Sequence, residues 1–370
     1  STGGQFCPPI MGAVGFVMAE FLNLSYTQVM LAAIVPALLY YVGLLVAVHL
    51  EAKRLGLSGL SRENIPDAIV VLREQGHLIL PLVSLIGMMF YGFTPLYAAV
   101  LSIFVTVIAS WLRKETRMTP AIILEAMVEG SKSAISVGVC CVIIGVIIGT
   151  VTLTSMGLNM GYLILSFVDN GSIYLTGLLV MIMSSILGMG VPGVAAYVIV
   201  QAVAVPVLIK AGALPIVAHL FCLIYACLSN ITPPVAMSAY VAAGIAGSDQ
   251  TKTGLWAVRL GLIGFLIPFF FLDNPILLIG VTPEANLSAM LWAIATALVG
   301  TASLVMGLEG WILLRASMLE RLILISSAPF LLLPGMYSDV IGIGGLAGVL
   351  LYQLFQHHRA SPEVNKGNIN

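Results

Sequence analysis

The feature that most constrains this chain is a series of long apolar runs with almost no charge inside them. Residues 28–50 and 134–157 contain no Asp, Glu, Lys or Arg. Similar runs, several of them short, cover 78–92, 94–112, 173–188, 255–280, 288–308, 322–335 and 341–355. A helix needs about 20 mostly apolar residues to cross the hydrocarbon of a bilayer. Charged residues make up only 8% of the chain and apolar residues 60%, whereas a soluble domain carries about 25% charge. So few charges cannot screen that much apolar surface from water, but lipid removes the need. The expected fold is an all-α, polytopic integral membrane protein. A net charge of −1 gives nucleic acid no electrostatic footing.

Charge clusters set the expected topology. Loop 51–77 carries Lys53, Arg54, Arg62 and Arg73, and loop 113–133 carries Arg113, Lys114, Arg117 and Lys132. Short basic loops stay in the cytoplasm. The two spans between them turn at Gly92-Phe93-Thr94-Pro95, which puts both loops on one side. Within the loops, 65–75 and 119–131 are amphipathic and read as separate interfacial helices. Arg315, Arg321, His357, His358 and Arg359 place a later loop and the C-terminus in the cytoplasm, followed by a polar tail, 360–370, expected to be disordered. The five cysteines lie in apolar segments without metal or redox spacing and read as small buried hydrophobes.

Three apolar stretches are broken by Gly, Pro or small polar residues: 1–22, 186–212 and 215–247. A proline pair removes two backbone donors and disfavours helix before it. In hydrocarbon the freed carbonyls need a partner, which a re-entrant hairpin or an unwound helix around an ion supplies. The chain divides accordingly into 1–22, 23–185, 186–254, 255–280 and 281–370. Pro8-Pro9 resembles Pro233-Pro234: Gln5 aligns with Asn230, Cys7 with Thr232, and small apolar residues follow each pair. The span after the first copy ends in basic residues, while the span after the second begins near Lys252 and Arg259. Two copies of opposite orientation form an inverted-topology repeat.

Ser229-Asn230-Ile231-Thr232-Pro233-Pro234 is the most informative motif. Ser229, Asn230 and Thr232 offer neutral oxygens, and Pro233-Pro234 offers free carbonyls, a set suited to Na⁺ that must bind and leave. The structural alternative is an N-cap by Ser229 or Thr232 in a kinked span. Thr2 and Gln5 are the weaker counterpart in the first copy. Gly188, Gly190, Val191, Pro192 and Gly193 form a second break, where glycine lets backbone approach a ligand or lets helices pack closely. His219 is an ionisable residue at membrane depth and so a substrate-binding candidate beside Pro192, Pro233 and Pro234; its alternative is a core imidazole. Lys210 and Glu20 read as helix-end residues and Asp249 as a cap. No Ser-His-Asp set, metal-protease motif or phosphate loop is present, so neither an enzyme nor an ATP-driven pump is expected.

The segments GMGVPGVAAYVIVQAVAVPVLIKAG, AHLFCLIYACLSNITPPVAMSAYVAAGIAGSD and KTGLWAVRLGLIGFLIPFFFLDNP resemble the large membrane subunit of TRAP transporters. STGGQFCPPIMGAVGFVMAEFL resembles the second arm of that family's first hairpin. The spans after Asn274-Pro275 resemble the extension of the fused permeases associated with TAXI binding proteins. The resemblance implies a bacterial inner-membrane secondary transporter of the ion-transporter superfamily, working as an elevator. It implies Na⁺ coupling, no cofactor, an organic anion as substrate, a periplasmic TAXI-type binding protein, and a small four-helix membrane subunit fused upstream. That subunit and the Gly/Ser-rich first arm do not precede Ser1, so the resemblance also implies an N-terminal truncation, with residues 1–7 loosely held and 8–22 helical. The second hairpin would have arms at 192–210 and around 229–247. The family's Thr after the proline of the glycine motif is replaced by Gly193-Val194, which removes a hydroxyl and leaves the carbonyls of Gly190, Val191 or Gly193. The competing reading is a non-transporting scaffold or channel-like subunit.

Overall fold

The computed structural model describes the chain apart from residues 1, 58, 60, 62–64, 156–158, 160–161, 164–165, 167–171, 283–285, 333–334 and 365–370. Arg62, the side chains of Cys140, Cys141, His357 and Arg359, and the last residues of the tail therefore lie outside the described residues. Among those described, the fold is helical and no sheet forms. Six helical stretches are long and apolar enough to cross a membrane.

A 3₁₀ turn, Gly3–Gln5, is followed by the Pro8-Pro9 break and helix α1, Gly12–Leu22. Helix α2, Tyr26–Arg54, starts at a capping box made by Ser25 and Gln28 and ends in Lys53 and Arg54, which complement the negative helix end. Helices α3 (Ala68–Gln75), α4 (Leu80–Phe90) and α5 (Pro95–Ser110) follow, then α6, Pro120–Leu153. Next come α7 (Ile173–Gly188), α8 (Gly193–Lys210) and α9 (Pro215–Leu228). A second 3₁₀ turn, Ser229–Ile231, leads through Pro233-Pro234 to α10, Met237–Ala246. Helices α11 (Gln250–Leu260) and α12 (Leu262–Asp273) together form one stretch long and apolar enough to span, Gln250–Asp273, where the sequence placed a span at 255–280. They part at Gly261, where a Cβ would stand 2.9 Å from both Ala257 O and Ile231 Cδ1. Helices α13 (Leu287–Glu309), α14 (Met318–Leu332) and α15 (Met336–Val364) complete the chain. Both Pro-Pro peptide bonds are cis.

Several expectations change. Segment 119–131 is no separate interfacial helix: it runs straight into the following span, and α6 has 34 residues, about 50 Å at 1.5 Å per residue. Pro120 suits a first helical position, and a lone Gly130 costs only about 1 kcal/mol, too little to break the helix. Helix α15 continues to Val364, beyond the predicted start of a disordered tail; neither glycine nor proline occurs in 349–361 to end it sooner. Residues 2–7 are seated rather than loose. Phe6 is 1% exposed and meets Tyr40 edge-on with ring centroids 5.2 Å apart. The helix expected over 8–22 begins only at Gly12, after Met11 at φ 46.

Helix α9 is the centre of the molecule. Every residue from Val217 to Leu228 is buried, which fits a helix that is apolar all round. Helices α7, α8, α12 and α1 pack on it, and α8 folds back along α7 around Met189–Pro192. The arms of the second hairpin are therefore α7 and α8, and α9 to α10 is a broken helix. The turn Gly3–Gln5 and α1 match Ser229–Ile231 and α10, so residues 1–22 correspond more closely to the later part of a broken helix than to a hairpin arm. Helix α2 lies against α12 and α13, and the latter carries α14 and α15. Much of the remaining surface is apolar: Ile135, Val139, Val142 and Val146 on α6 are all exposed, as a lipid-facing helix requires.

The two basic loops meet. Arg113 Nη2 donates to the Arg73 carbonyl, and His77 Nε2 lies 2.9 Å from Thr116 Oγ1. They share one side of the molecule, as their charge predicts. Glu20 lies in the last turns of α1 and Lys210 ends α8. Asp249 caps α11, accepting from the Lys252 N–H at 2.7 Å. Cys222 and Cys227 are buried and Cys7 half-buried, all as free thiols.

Candidate ion-binding site

The two glycine- and proline-broken stretches close on each other. Gly188 ends α7 directly against the turn after α9: a Cβ there would stand 2.7 Å from Ser229 Oγ and 3.2 Å from Ala226 O. Gly190 adopts φ +73, which favours glycine, and faces Val235. Gly193 opens α8 against the first copy, where a Cβ would stand 2.2 Å from Gln5 Oε1. Gly188, Gly190 and Gly193 on one side thus meet Gln5, Ser229 and Val235 on the other. Only glycine permits that approach.

At the end of α9 the polar side chains turn back on their own helix. Ser229 Oγ donates to Ala226 O at 2.7 Å, Asn230 Nδ2 to Cys227 O at 3.2 Å, and Thr232 Oγ1 to Leu228 O at 2.9 Å. Three carbonyls in the last turn of α9 thereby gain a side-chain donor. Neither Ser229 nor Thr232 caps the next helix: Ala236 stands at the start of α10, with no side-chain cap. The N-cap alternative therefore gives way to a C-terminal closure, which the sequence did not signal. The two hydroxyls and one N–H of Asn230 donate to the backbone. The hydroxyl lone pairs and the Asn230 Oδ1 remain as acceptors.

The first copy adds two more oxygens. Thr2 Oγ1 and Gln5 Oε1 are buried without a hydrogen-bond partner. Orphaned buried oxygens are costly. Gln5 occupies the space that a side chain at 193 would need, so an amide oxygen stands beside the position from which the sequence comparison had removed a hydroxyl.

Pro192 precedes α8 and Pro233-Pro234 lies between the turn and α10. The Pro234 carbonyl accepts from Tyr240 Oη at 2.6 Å, and the Pro9 carbonyl accepts from Tyr26 Oη at 2.8 Å. A tyrosine hydroxyl thus serves each proline break. His219 is buried on α9 and shares a 2.6 Å hydrogen bond between Nδ1 and Tyr197 Oη of α8. That contact ties the hairpin to the central helix. Among the described residues nothing joins His219 to the Ser229 or Gly193 groups. Its partner Tyr197 was not foreseen, because the two are 22 positions apart on different helices.

No group of three or more His, Cys, Asp or Glu able to hold a metal occurs among the described residues. The site is one of neutral oxygens. No curated protein matches the chain. The family model described as "Tripartite ATP-independent periplasmic transporter, DctM component" matches residues 1–285. With that match covering the helices that build the site, the chain belongs to the DctM family of TRAP-type secondary transporters.

Proposed function

We propose that the chain is the translocating membrane component of a Na⁺-coupled uptake system for an organic anion, a carboxylate. The observation that supports this reading is the state of Ser229, Asn230 and Thr232. Both hydroxyl hydrogens and one Asn230 N–H are committed to α9 carbonyls, and each side chain keeps acceptor oxygen. Neutral acceptors beside a broken helix end hold a monovalent cation without a fixed charge, so it can also leave. Thr2 and Gln5 contribute the corresponding oxygens of the first copy, and the carbonyls of Gly188, Gly190, Val191 and Gly193 line the hairpin side. Substrate would bind near Pro192 and Pro233-Pro234, with His219 as positioning support through Tyr197.

In this reading a TAXI-type periplasmic binding protein delivers the substrate, and a small four-helix membrane subunit, fused upstream, completes the scaffold. The hairpin α7–α8 and the broken helix α9–α10 move together as an elevator in the bacterial inner membrane, with the C-terminus in the cytoplasm. The test is uptake of radiolabelled carboxylates into vesicles holding the full transporter and its binding protein. Uptake should follow an inward Na⁺ gradient and stop when K⁺ replaces Na⁺. Uptake driven equally by a proton gradient without Na⁺ sinks the coupling ion. Downhill flux without any binding protein favours a channel-like subunit instead.

A further inference from the structure

We propose that the C-terminal helices hold an anionic phospholipid, its phosphodiester in an arginine-lined pocket and an acyl chain in the groove between α14 and α15. The pocket, about 780 Å³, opens where α2 and α13 end and α14 begins, and Arg54, Arg315 and Arg321 line it. Trp311 and Tyr352 stand at its wall, the residue types that favour the headgroup level of a bilayer.

Charge pairing leaves this pocket positive. Arg54 pairs with Glu51 at 2.6 Å, and Arg259 pairs with Glu309 at 2.8 Å and Glu51 at 3.6 Å. Those two cations and two anions cancel. Arg321 is locked by neutral acceptors, donating from Nε to Gly307 O and from Nη2 to Leu308 O, both at 3.0 Å. Arg315 makes no ion pair among the described residues. Against these two positive charges stands Glu320 alone. One excess positive charge matches the single negative charge of a phosphodiester. Glu320 is 5% exposed. One of its oxygens accepts the Ser317 N–H at 2.5 Å, and the buried Gln353 amide donates to its carboxylate from the other side, so Glu320 is held by protein donors.

The second observation is the groove. About 420 Å³ of apolar space adjoins the pocket and shares Ser317, Glu320 and Tyr352 with it. Leu319, Ile323 and Val349 wall it, and Gly344 and Gly348 floor it. A Cβ at either glycine meets nothing within 4 Å. Spaced four apart, they lie on one face of α15, within the stretch Tyr337–Gln356 that is apolar enough to cross the membrane. The groove therefore lies at hydrocarbon depth and the pocket at its end. Basic pockets between helices at the membrane surface take anionic headgroups. A continuous polar head and apolar trough selects a lipid over a soluble anion.

Native mass spectrometry of the detergent-purified chain, titrated with short-chain phosphatidylglycerol, phosphatidylcholine or inorganic phosphate, tests this. Phosphatidylglycerol should bind at least about fivefold more tightly than phosphatidylcholine. Arg315→Gln should weaken it about fivefold, as for one basic residue at a membrane surface, and Gly348→Leu should weaken it by filling the groove. Gly348→Leu raises helix propensity in open space, so folding is not at risk; Arg315 is exposed and holds no contact in the core. Equal binding of phosphatidylcholine overturns the proposal. So does phosphate binding as strong as lipid with Gly348→Leu silent, which marks a soluble-anion site, and so does unchanged lipid binding in both variants.

Discussion

Arg259 Nη2 lies 3.6 Å from Glu51 Oε2, joining the end of α2 to the last turn of α11. Further along, Gly43 meets Ile263, and Tyr40 meets Gly264. As the α2 numbers fall, those of the facing helix rise, so the span after the first proline break and the span after the second run antiparallel. That is the geometry of an inverted-topology repeat. Arg259 also bonds Glu309 at 2.8 Å, which fastens α13 to the same point. Removing one partner of a fully buried pair costs about 3–5 kcal/mol. Arg259 is 36% exposed, and solvent screening lowers that to about 1–2 kcal/mol. Arg259→Gln should lower the thermal midpoint in detergent, and Glu51→Gln should do so less in the Arg259→Gln background. Additive losses would show that the two do not interact.

The shared side of the basic loops gives a second prediction. Single cysteines introduced as Arg73→Cys and Arg113→Cys should resist an impermeant thiol reagent in intact cells and react after permeabilisation. Labelling of both from outside would reverse the assigned orientation, and labelling of only one would break the pairing of the loops.

For the ion site, Ser229→Ala, Asn230→Ala and Thr232→Ala each remove one neutral oxygen. Loss of one such ligand costs about 1–3 kcal/mol by analogy with an unmade buried hydrogen bond, or roughly 5- to 150-fold in Na⁺ affinity. Each change also frees a carbonyl of α9, so a thermal scan without Na⁺ separates folding from binding. The stabilisation conferred by Na⁺ should shrink in each variant. An unaltered Na⁺ response across all three would leave the cluster a purely structural helix end.

Gly193 and Gln5 should be coupled. Gly193→Ala puts a Cβ 2.2 Å from Gln5 Oε1 and must displace that amide, at a cost of about 1–3 kcal/mol for overpacking. In a Gln5→Ala background the space is free and the cost should nearly vanish. A double-mutant cycle on Na⁺-dependent stability measures this. Zero coupling would mean that Gln5 does not occupy the space at Gly193.

Much of the architecture was legible in the sequence because lipid imposes simple arithmetic. Apolar length located most spans: 28–50 became Tyr26–Arg54, 288–308 became Leu287–Glu309, and 341–355 fell within Tyr337–Gln356. Lys and Arg content put the two loops on one side, and the Pro-Pro pairs marked both breaks. These are local or one-dimensional signals. Where the local signal was weak, the reading failed. Amphipathic 119–131 looked like a separate helix, yet continuity of backbone hydrogen bonding carried it into the span.

The site itself needed the tertiary structure. Ser229, Asn230 and Thr232 were visible as polar residues in an apolar run, but their orientation depends on which carbonyls α9 leaves unpaired. That Gln5 fills the space at Gly193, and that Gly188 admits Ser229, follows from the close approach of segments far apart in the chain. The same holds for Tyr197 with His219 and for Arg54 with Arg315 and Arg321. The sequence determined which residues must enter the membrane and where helices must break, because hydrocarbon punishes every exposed charge and unpaired backbone group. Only the folded chain decided which breaks meet and which oxygens are left facing them, because those depend on packing distances of a few tenths of an ångström between helices.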